Sequence, residues 1–333
     1  MKTEKALITG GAGFIGSHLV DDLIKNGYEV MIVDNLLSGN KENISNIVSN
    51  NIYYDDIGSD KVLQNIIEFD PDICFHLAAQ SSVVISVDNP MLDYEHNILQ
   101  PLKLIKVLLT TNCRKLVFSS SGGTIFGEPE IIPTSEKDFA GEPESPYGVA
   151  KKRLNEFIEL LLEDIPTMSY SILNFSNVYG PRQDPNGEAG VISIFTSKMM
   201  NNAEPIVFGD GEQTRDFTYV SDIVDALVTA AQSDRTSRVY NVGSGATVSV
   251  NRLVELLEGD KVHIPKRPGE PDCTFADIRS INSELNWKPS VPVEQGVSVL
   301  LDNIDYWKDA PVWTPKSIQD ATEDWFFYLG RDQ

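Results

Sequence analysis

Through the first half of the chain, short apolar and β-branched runs alternate with longer amphipathic stretches. The strand-like runs fall at 6–9, 29–34, 51–54, 72–77, 115–119 and 169–174. Apolar positions at helical spacing occupy 14–26, 60–69, 91–111 and 147–164. The strand runs are apolar at consecutive positions, as strands covered on both faces must be. A βαβα rhythm of this kind predicts an α/β fold, a doubly wound parallel sheet with helices on both sides. Pro101 falls inside the third helical stretch. It has no N–H, and its ring crowds the preceding turn, so a kink or break is expected there.

After residue 175 the rhythm loosens, and Gly and Pro become frequent across 180–190 and 265–271. The expected organisation is therefore 1–175 as the main sheet domain and 176–333 mainly as a smaller lobe. The stretch 239–242 is expected to return to the sheet as a strand. Near the C-terminus, Ile318, Ala321, Trp325, Phe326 and Leu329 recur near helical spacing, which predicts a helix packing on the body. No internal repeat is visible.

Composition narrows the class. A chain of 333 residues with 41% apolar content can bury a large core. It has no apolar run of about 18 residues that could span a bilayer. The opening MKTEKALITG reads as a first strand and not as a secretion signal, so a cytoplasmic location is expected. Three widely spaced cysteines (Cys74, Cys113, Cys273) suggest neither a disulfide framework nor a zinc site. The four histidines form no metal pattern, so no metal is expected. A net charge of −22 repels nucleic-acid phosphates, which argues against a nucleic-acid partner. An anionic nucleotide substrate would need locally gathered positive charge.

The first strand runs directly into Thr9-Gly10-Gly11-Ala12-Gly13-Phe14-Ile15-Gly16. Glycine allows the tight turn and the close approach of backbone to a pyrophosphate. The helix that follows presents free N–H groups and the positive end of its dipole to that anion. Asp34 closes the second strand, eighteen residues past Gly16. A carboxylate there accepts from both adenosine ribose hydroxyls and repels a 2′-phosphate, so NAD is favoured over NADP. Tyr147 and Lys151 stand at i and i+4 on one helix face. A neighbouring ammonium lowers the tyrosine pKa from about 10 and makes Tyr147 a usable general base. Ser119, Ser120, Ser121 and Thr124 follow a strand, where hydroxyls face the ligand crevice of such a sheet.

Taken together, TGGAGFIGSHL, VDNL, HLAAQSSV, SPYGVAKK, NVYGPRQDP, FGDGEQTRDFTYVSDIV and NVGSG resemble the extended short-chain dehydrogenase/reductase family, and within it the nucleotide-sugar 4-epimerases. The likeness runs from about Lys5 to Leu301. It implies a Rossmann-type NAD domain, a C-terminal substrate-binding lobe, a UDP-sugar substrate and a homodimer. It also implies cofactor contacts from Gly10, Gly13, Phe14, Ile15, Gly16, Asp34, Asn35, Asp56, Ile57, Leu77, Ala78, Ala79, Gln80, Asn97, Ser119, Tyr147, Lys151 and Phe175. Substrate contacts would come from Asn177, Val191, Phe208, Arg215, Arg267 and Glu270, the two arginines supplying the required positive charge. The dimer would form through helices within 91–111 and 147–164.

Some positions depart from the family pattern. Counted back from Gly127, the usual catalytic Ser/Thr position holds Gly122. The hydroxyl is then expected one residue earlier, at Ser121, with Thr124 second. Asn174 stands where arginine is common, Pro101 replaces a threonine, and the segment from 309 onward lies outside the pattern. A 4,6-dehydratase would carry an Asp-Glu pair after the active hydroxyl, and a decarboxylase a Glu. Gly122, Gly123 and Thr124 fill that stretch. UDP-glucuronate 4-epimerisation stays open, and outside enzymes so does an NAD-binding regulator. Thr274, a small residue at the position that gates N-acetyl groups in relatives, predicts room for N-acetylated sugars.

Overall fold

The computed structural model describes residues 3–137, 141–184, 206–235, 237–257, 262–264 and 272–302. Seven strands form one sheet. Six are β1 (Lys5–Thr9), β2 (Glu29–Val33), β3 (Ile52–Tyr53), β4 (Ile73–His76), β5 (Lys115–Ser121) and β6 (Ser169–Phe175); the seventh is Arg238–Val242. From one edge the order is Arg238–Val242, β6, β5, β4, β1, β2, β3. Every neighbouring pair is parallel. The doubly wound sheet is thus present, and the strand order reverses direction between β1 and β4, which opens the crevice typical of this architecture.

The alternation of β1 shows how the sheet is covered. Ala6 and Ile8 point into a core built with Leu19, Val20 and Leu23 of α1 (Phe14–Lys25) and with Ile223 and Leu227 of the helix Val220–Gln232. Leu7 points the other way. It meets Val62 and Ile66 of α2 (Asp60–Phe69), and beyond them Leu104 and Leu108 of the segment Gln100–Leu108 and Leu154, Ile158 and Leu162 of Pro146–Leu162. All these side chains are essentially inaccessible to solvent, so each of them larger than Ala6 contributes roughly 1.5–3 kcal/mol of burial.

The stretch expected as a helix at 91–111 is divided. After α3 (Val83–Asp88) come α4 (Pro90–Tyr94), a π turn at Glu95–Leu99 and α5 (Gln100–Leu108). The Gln100 N–H reaches back five residues to the Glu95 carbonyl. Pro101 opens α5, where its missing donor costs nothing, and the wide turn before it absorbs the break. α6 (Pro146–Leu162) is one uninterrupted helix. The Ser145 Oγ caps it by accepting the Gly148 N–H at 3.1 Å, and Pro146 occupies its first turn.

A smaller hydrophobic cluster joins Tyr179, Val207, Phe217, Val250, Leu253, Val297 and Leu300. Around it lie short strands: Asn177–Tyr179 beside Phe217–Tyr219, and Thr214–Arg215 between Val248–Ser249 and Cys273–Thr274. The helix expected within 314–329 lies outside the described residues. None of the described helices is long and apolar enough to cross a membrane.

Candidate active site

A cavity of about 420 Å³ opens along the C-terminal ends of β1, β4, β5 and β6. At one end the chain leaves β1 with Gly10 at φ +73°, a left-handed conformation that favours glycine. A Cβ there would come within 2.7 Å of the Ala78 backbone nitrogen, and a Cβ at Gly16 would overlap the Gly10 carbonyl. The Gly13 N–H donates to that same carbonyl at 3.1 Å. The turn is thus drawn closed on its own backbone, and α1 begins beside it.

Asp34 is buried at the end of the crevice. Its carboxylate accepts the Ala12 N–H at 2.9 Å and the Leu36 N–H at 2.8 Å. Burial raises its pKa from the ordinary carboxylate value, and these backbone donors oppose the rise. The acid thus also braces the glycine turn. Asn35 donates to the Asp56 carboxylate at 2.8 Å, behind the cavity wall.

At the other end α6 supplies Tyr147 and Lys151, both buried and both lining the cavity. Lys151 Nζ donates to the Ser119 carbonyl at 3.1 Å. It lies 4.8 Å from the Phe118 ring centre and 6.0 Å from that of Tyr147. Burial pulls the lysine down from 10.5 to about 8, with the charge of Asp93 opposing. Next to it, His76 stacks on Phe118 at 5.4 Å. Burial, with help from the Lys151 charge, holds that imidazole down to about 3, so it is neutral. Its Nδ1 is 2.7 Å from the Thr9 hydroxyl, which also accepts the Ala78 N–H at 3.2 Å.

Ser121 ends β5 opposite Phe175 and lines the cavity with it. The Gly122 N–H ties the following loop to the Phe175 carbonyl at 2.8 Å. Thr124 is not among the cavity's lining residues, and its Oγ1 is buried without a hydrogen-bond partner. The arrangement brings together a phenol, an ammonium that can stabilise phenolate, and a hydroxyl, which suits proton transfer at a bound alcohol.

The model of the NAD dependent epimerase/dehydratase family matches residues 6–243. This chain belongs to that family. A Methanocaldococcus jannaschii protein provisionally named UDP-glucose 4-epimerase is 42% identical over 301 residues, 87% of this chain and 95% of the relative. The Thermotoga maritima UDP-glucose 4-epimerase solved with UDP-glucose superposes with a TM-score of 0.84 at 39% identity, covering 92% of this chain and 99% of that one. The Methanobrevibacter ruminantium UDP-N-acetylglucosamine 4-epimerase, solved with UDP-N-acetylmuramic acid, gives 0.82 at 35%, covering 91% and 100%.

As a member of the NAD-dependent epimerase/dehydratase family, the chain should hold a dinucleotide in this cavity, and its residues fit one. The glycine turn is packed so closely that a Cβ at Gly10 or Gly16 would strike backbone, and Gly10, Gly13 and Gly16 line the cavity beside the start of α1. The cavity then runs from Asp34 to Tyr147 and Lys151. Of the residues singled out from sequence, Gly10, Gly13, Phe14, Ile15, Gly16, Asp34, Asn35, Ile57, Leu77, Ala78, Ala79, Ser119, Ser121, Tyr147, Lys151, Phe175 and Asn177 line it together.

Others stand elsewhere. Asp56 backs Asn35, and Gln80 and Asn97 turn inward, away from the lining, to the Asp93 carboxylate. Arg215 is buried on its short strand, its Nη1 donating to the Thr214 carbonyl at 2.9 Å. Phe208 ends the strand Ile206–Phe208. Val191, Arg267 and Glu270 lie outside the described residues.

Ser38, Ser81, His96, Gln100 and Gln183 also line the cavity, and sequence reading missed them. They sit on loops and helix ends after strands, a position that could have marked them. Asn174 is buried in a chain of amides. Asn155 Nδ2 donates to Asn174 Oδ1 at 3.3 Å, Asn174 Nδ2 to Asn241 Oδ1 at 3.0 Å, and Asn241 Nδ2 to the Thr134 carbonyl at 2.9 Å.

Proposed function

We propose that this chain is an NAD-dependent UDP-hexose 4-epimerase acting on UDP-glucose and UDP-galactose. The observation that carries the reading is the convergence of Tyr147, Lys151 and Ser121 on one cavity, with no acid among the three residues after Ser121. NAD, when bound, supplies a reversible hydride acceptor. Tyr147 takes the proton from the sugar C4 hydroxyl, helped by the Lys151 charge, and returns it after the transient 4-keto sugar has presented its other face. Ser121 holds the same hydroxyl. Removal of water across C5 and C6 needs a general acid and base beside Ser121, and Gly122, Gly123 and Thr124 supply neither.

The family resemblance assigns Asn177, Val191, Phe208, Arg215, Arg267 and Glu270, all in the lobe proposed at 176–333, to the nucleotide and its diphosphate. Asn177 borders both the main cavity and a smaller one lined by Gly122, Gly123 and Thr274. That small opening supports acceptance of N-acetylated sugars. α4 packs against α6, and Met91, Tyr94, Leu99, Phe157 and Leu160 are exposed along this pair and the adjoining π turn. These apolar side chains support a homodimer across it, which light scattering would measure.

The test is incubation of purified protein, without reductant, with UDP-glucose, UDP-N-acetylglucosamine, UDP-glucuronate and dTDP-glucose, with products resolved by proton NMR. Inversion at C4 of a UDP-hexose is the expected result. A 4-keto-6-deoxy product would overturn it.

A further inference from the structure

Asp93 is a buried acid, 1% exposed, to which the reaction above gives no role. Backbone donors fix the geometry around it. The Gln80 N–H can only donate, and it donates to Asn97 Oδ1 at 3.1 Å. The Asn97 NH₂ must therefore face the other way, and it donates to Asp93 Oδ1 at 2.8 Å. Likewise the Ser82 N–H donates to Gln80 Oε1 at 2.6 Å, which turns the Gln80 NH₂ onto Asp93 Oδ1 at 3.0 Å. One carboxylate oxygen thus accepts two amide donors whose orientations are not free, and these favour the ionised form against the burial that raises the Asp93 pKa.

A buried anion needs a cation, and α4 packs against α6, which carries the buried ammonium of Lys151. Other charged groups surround the pair, and the charge of His96 also favours ionised Asp93. From α6, Lys152 is committed to Glu142 at 3.1 Å, and Tyr147 is the proposed base. From β4, His76 is neutral. From the π turn come Glu95 and His96, the latter 3.9 Å from Asp56. From α3, Asp88 is exposed.

We infer that Asp93, held ionised by the Gln80 and Asn97 amides, is a positioning residue that keeps Lys151 protonated inside the site. The inference rests on the assignment of Tyr147 as the base, because the protonated lysine serves the reaction by stabilising phenolate. Burial alone drives Lys151 toward the neutral amine, and the Asp93 charge is the opposing influence.

Two measurements test this, and the first needs no turnover. In protein labelled at lysine Cε, the Lys151 carbon signal, assigned by its loss in Lys151→Met, reports protonation directly. In the unmutated protein it should titrate near pH 8, and in Asp93→Asn at least one pH unit lower. The second is the pH dependence of kcat/KM. Its alkaline limb should shift the same way in Asp93→Asn and return toward the original in Asp93→Glu. A merely structural acid would lower activity or stability and leave both midpoints in place, and that outcome overturns the inference. Should Asp93→Asn not fold, a Lys151 signal already neutral at pH 7 in the unmutated protein overturns it equally. Absence of any epimerisation by the unmutated protein refutes the reaction, while the NMR titration decides the role of Asp93 independently of it.

Discussion

The two ends of the cavity are built on different physics. At the β1–α1 end the turn is shaped by what is missing: Gly10 and Gly16 leave no Cβ, and backbone groups and Asp34 close the loop. At the β5–α6 end the shape is ordinary and the charges are not. There Lys151, Asp93 and neutral His76 are buried close together. The first end discriminates by fit, so it should respond to added atoms. The second discriminates by proton affinity, so it should respond to isosteric changes and to pH. The difference teaches that a dinucleotide cradle can be damaged without touching any titratable group, and a catalytic pair without moving any backbone.

The sharpest test of the charge-built end is Tyr147→Phe, which keeps the ring and removes the acid–base group. A loss of about 10²–10⁴ in kcat is expected, with NAD still bound as read by absorbance. Ser121→Ala should cost about 10- to 100-fold in kcat/KM, the effect of one hydrogen bond to a developing charge. For pH, burial depresses Lys151 to about 8, and in the proposed reaction its protonated form is the active one. Activity is therefore retained below pH 8 and falls as pH rises through it, by about tenfold for each unit beyond. At the steric end, Gly16→Ala should lower stability by roughly 1–3 kcal/mol and release NAD, seen by thermal unfolding and cofactor content, because its Cβ meets the Gly10 carbonyl. The smallest effect is expected from Thr124→Val. Its hydroxyl is buried without a partner, so turnover should change less than about twofold while stability holds or rises slightly. A large loss of turnover in Thr124→Val with little in Ser121→Ala would reverse the assignment of the hydroxyl.

The two ends also differed in how readily they could be read from the sequence. The glycine turn and Asp34 lie close together in the chain, each glycine has a local steric reason, and the strands around them are continuous apolar runs. Tyr147 and Lys151 share a helix face, so their pairing too follows from spacing. The surroundings of Lys151 do not. Asp93 looks like any polar residue on a short helix until α4 is packed on α6, and the bonds that turn the Gln80 and Asn97 side-chain amides onto Asp93 could not be read from their spacing. Pro101 signalled a break, but its form, a π turn at Glu95–Leu99, depends on how the helix is held at both ends. The choice between Ser121 and Thr124 needed the path of the loop, because both lie within a few residues of the strand end.

The amide chain Asn155–Asn174–Asn241–Thr134 has a consequence for which residues can replace its members. Each asparagine amide donates to the next acceptor, although Asn155 Oδ1 is buried without a partner, so a change at Asn174 or Asn241 alone strands a neighbour in the interior. Placing an arginine at Asn174 as a single step would put a long cation into a position only 1% exposed and cut the chain on both sides. An arginine at 174 would therefore need changes at 155 and 241 with it.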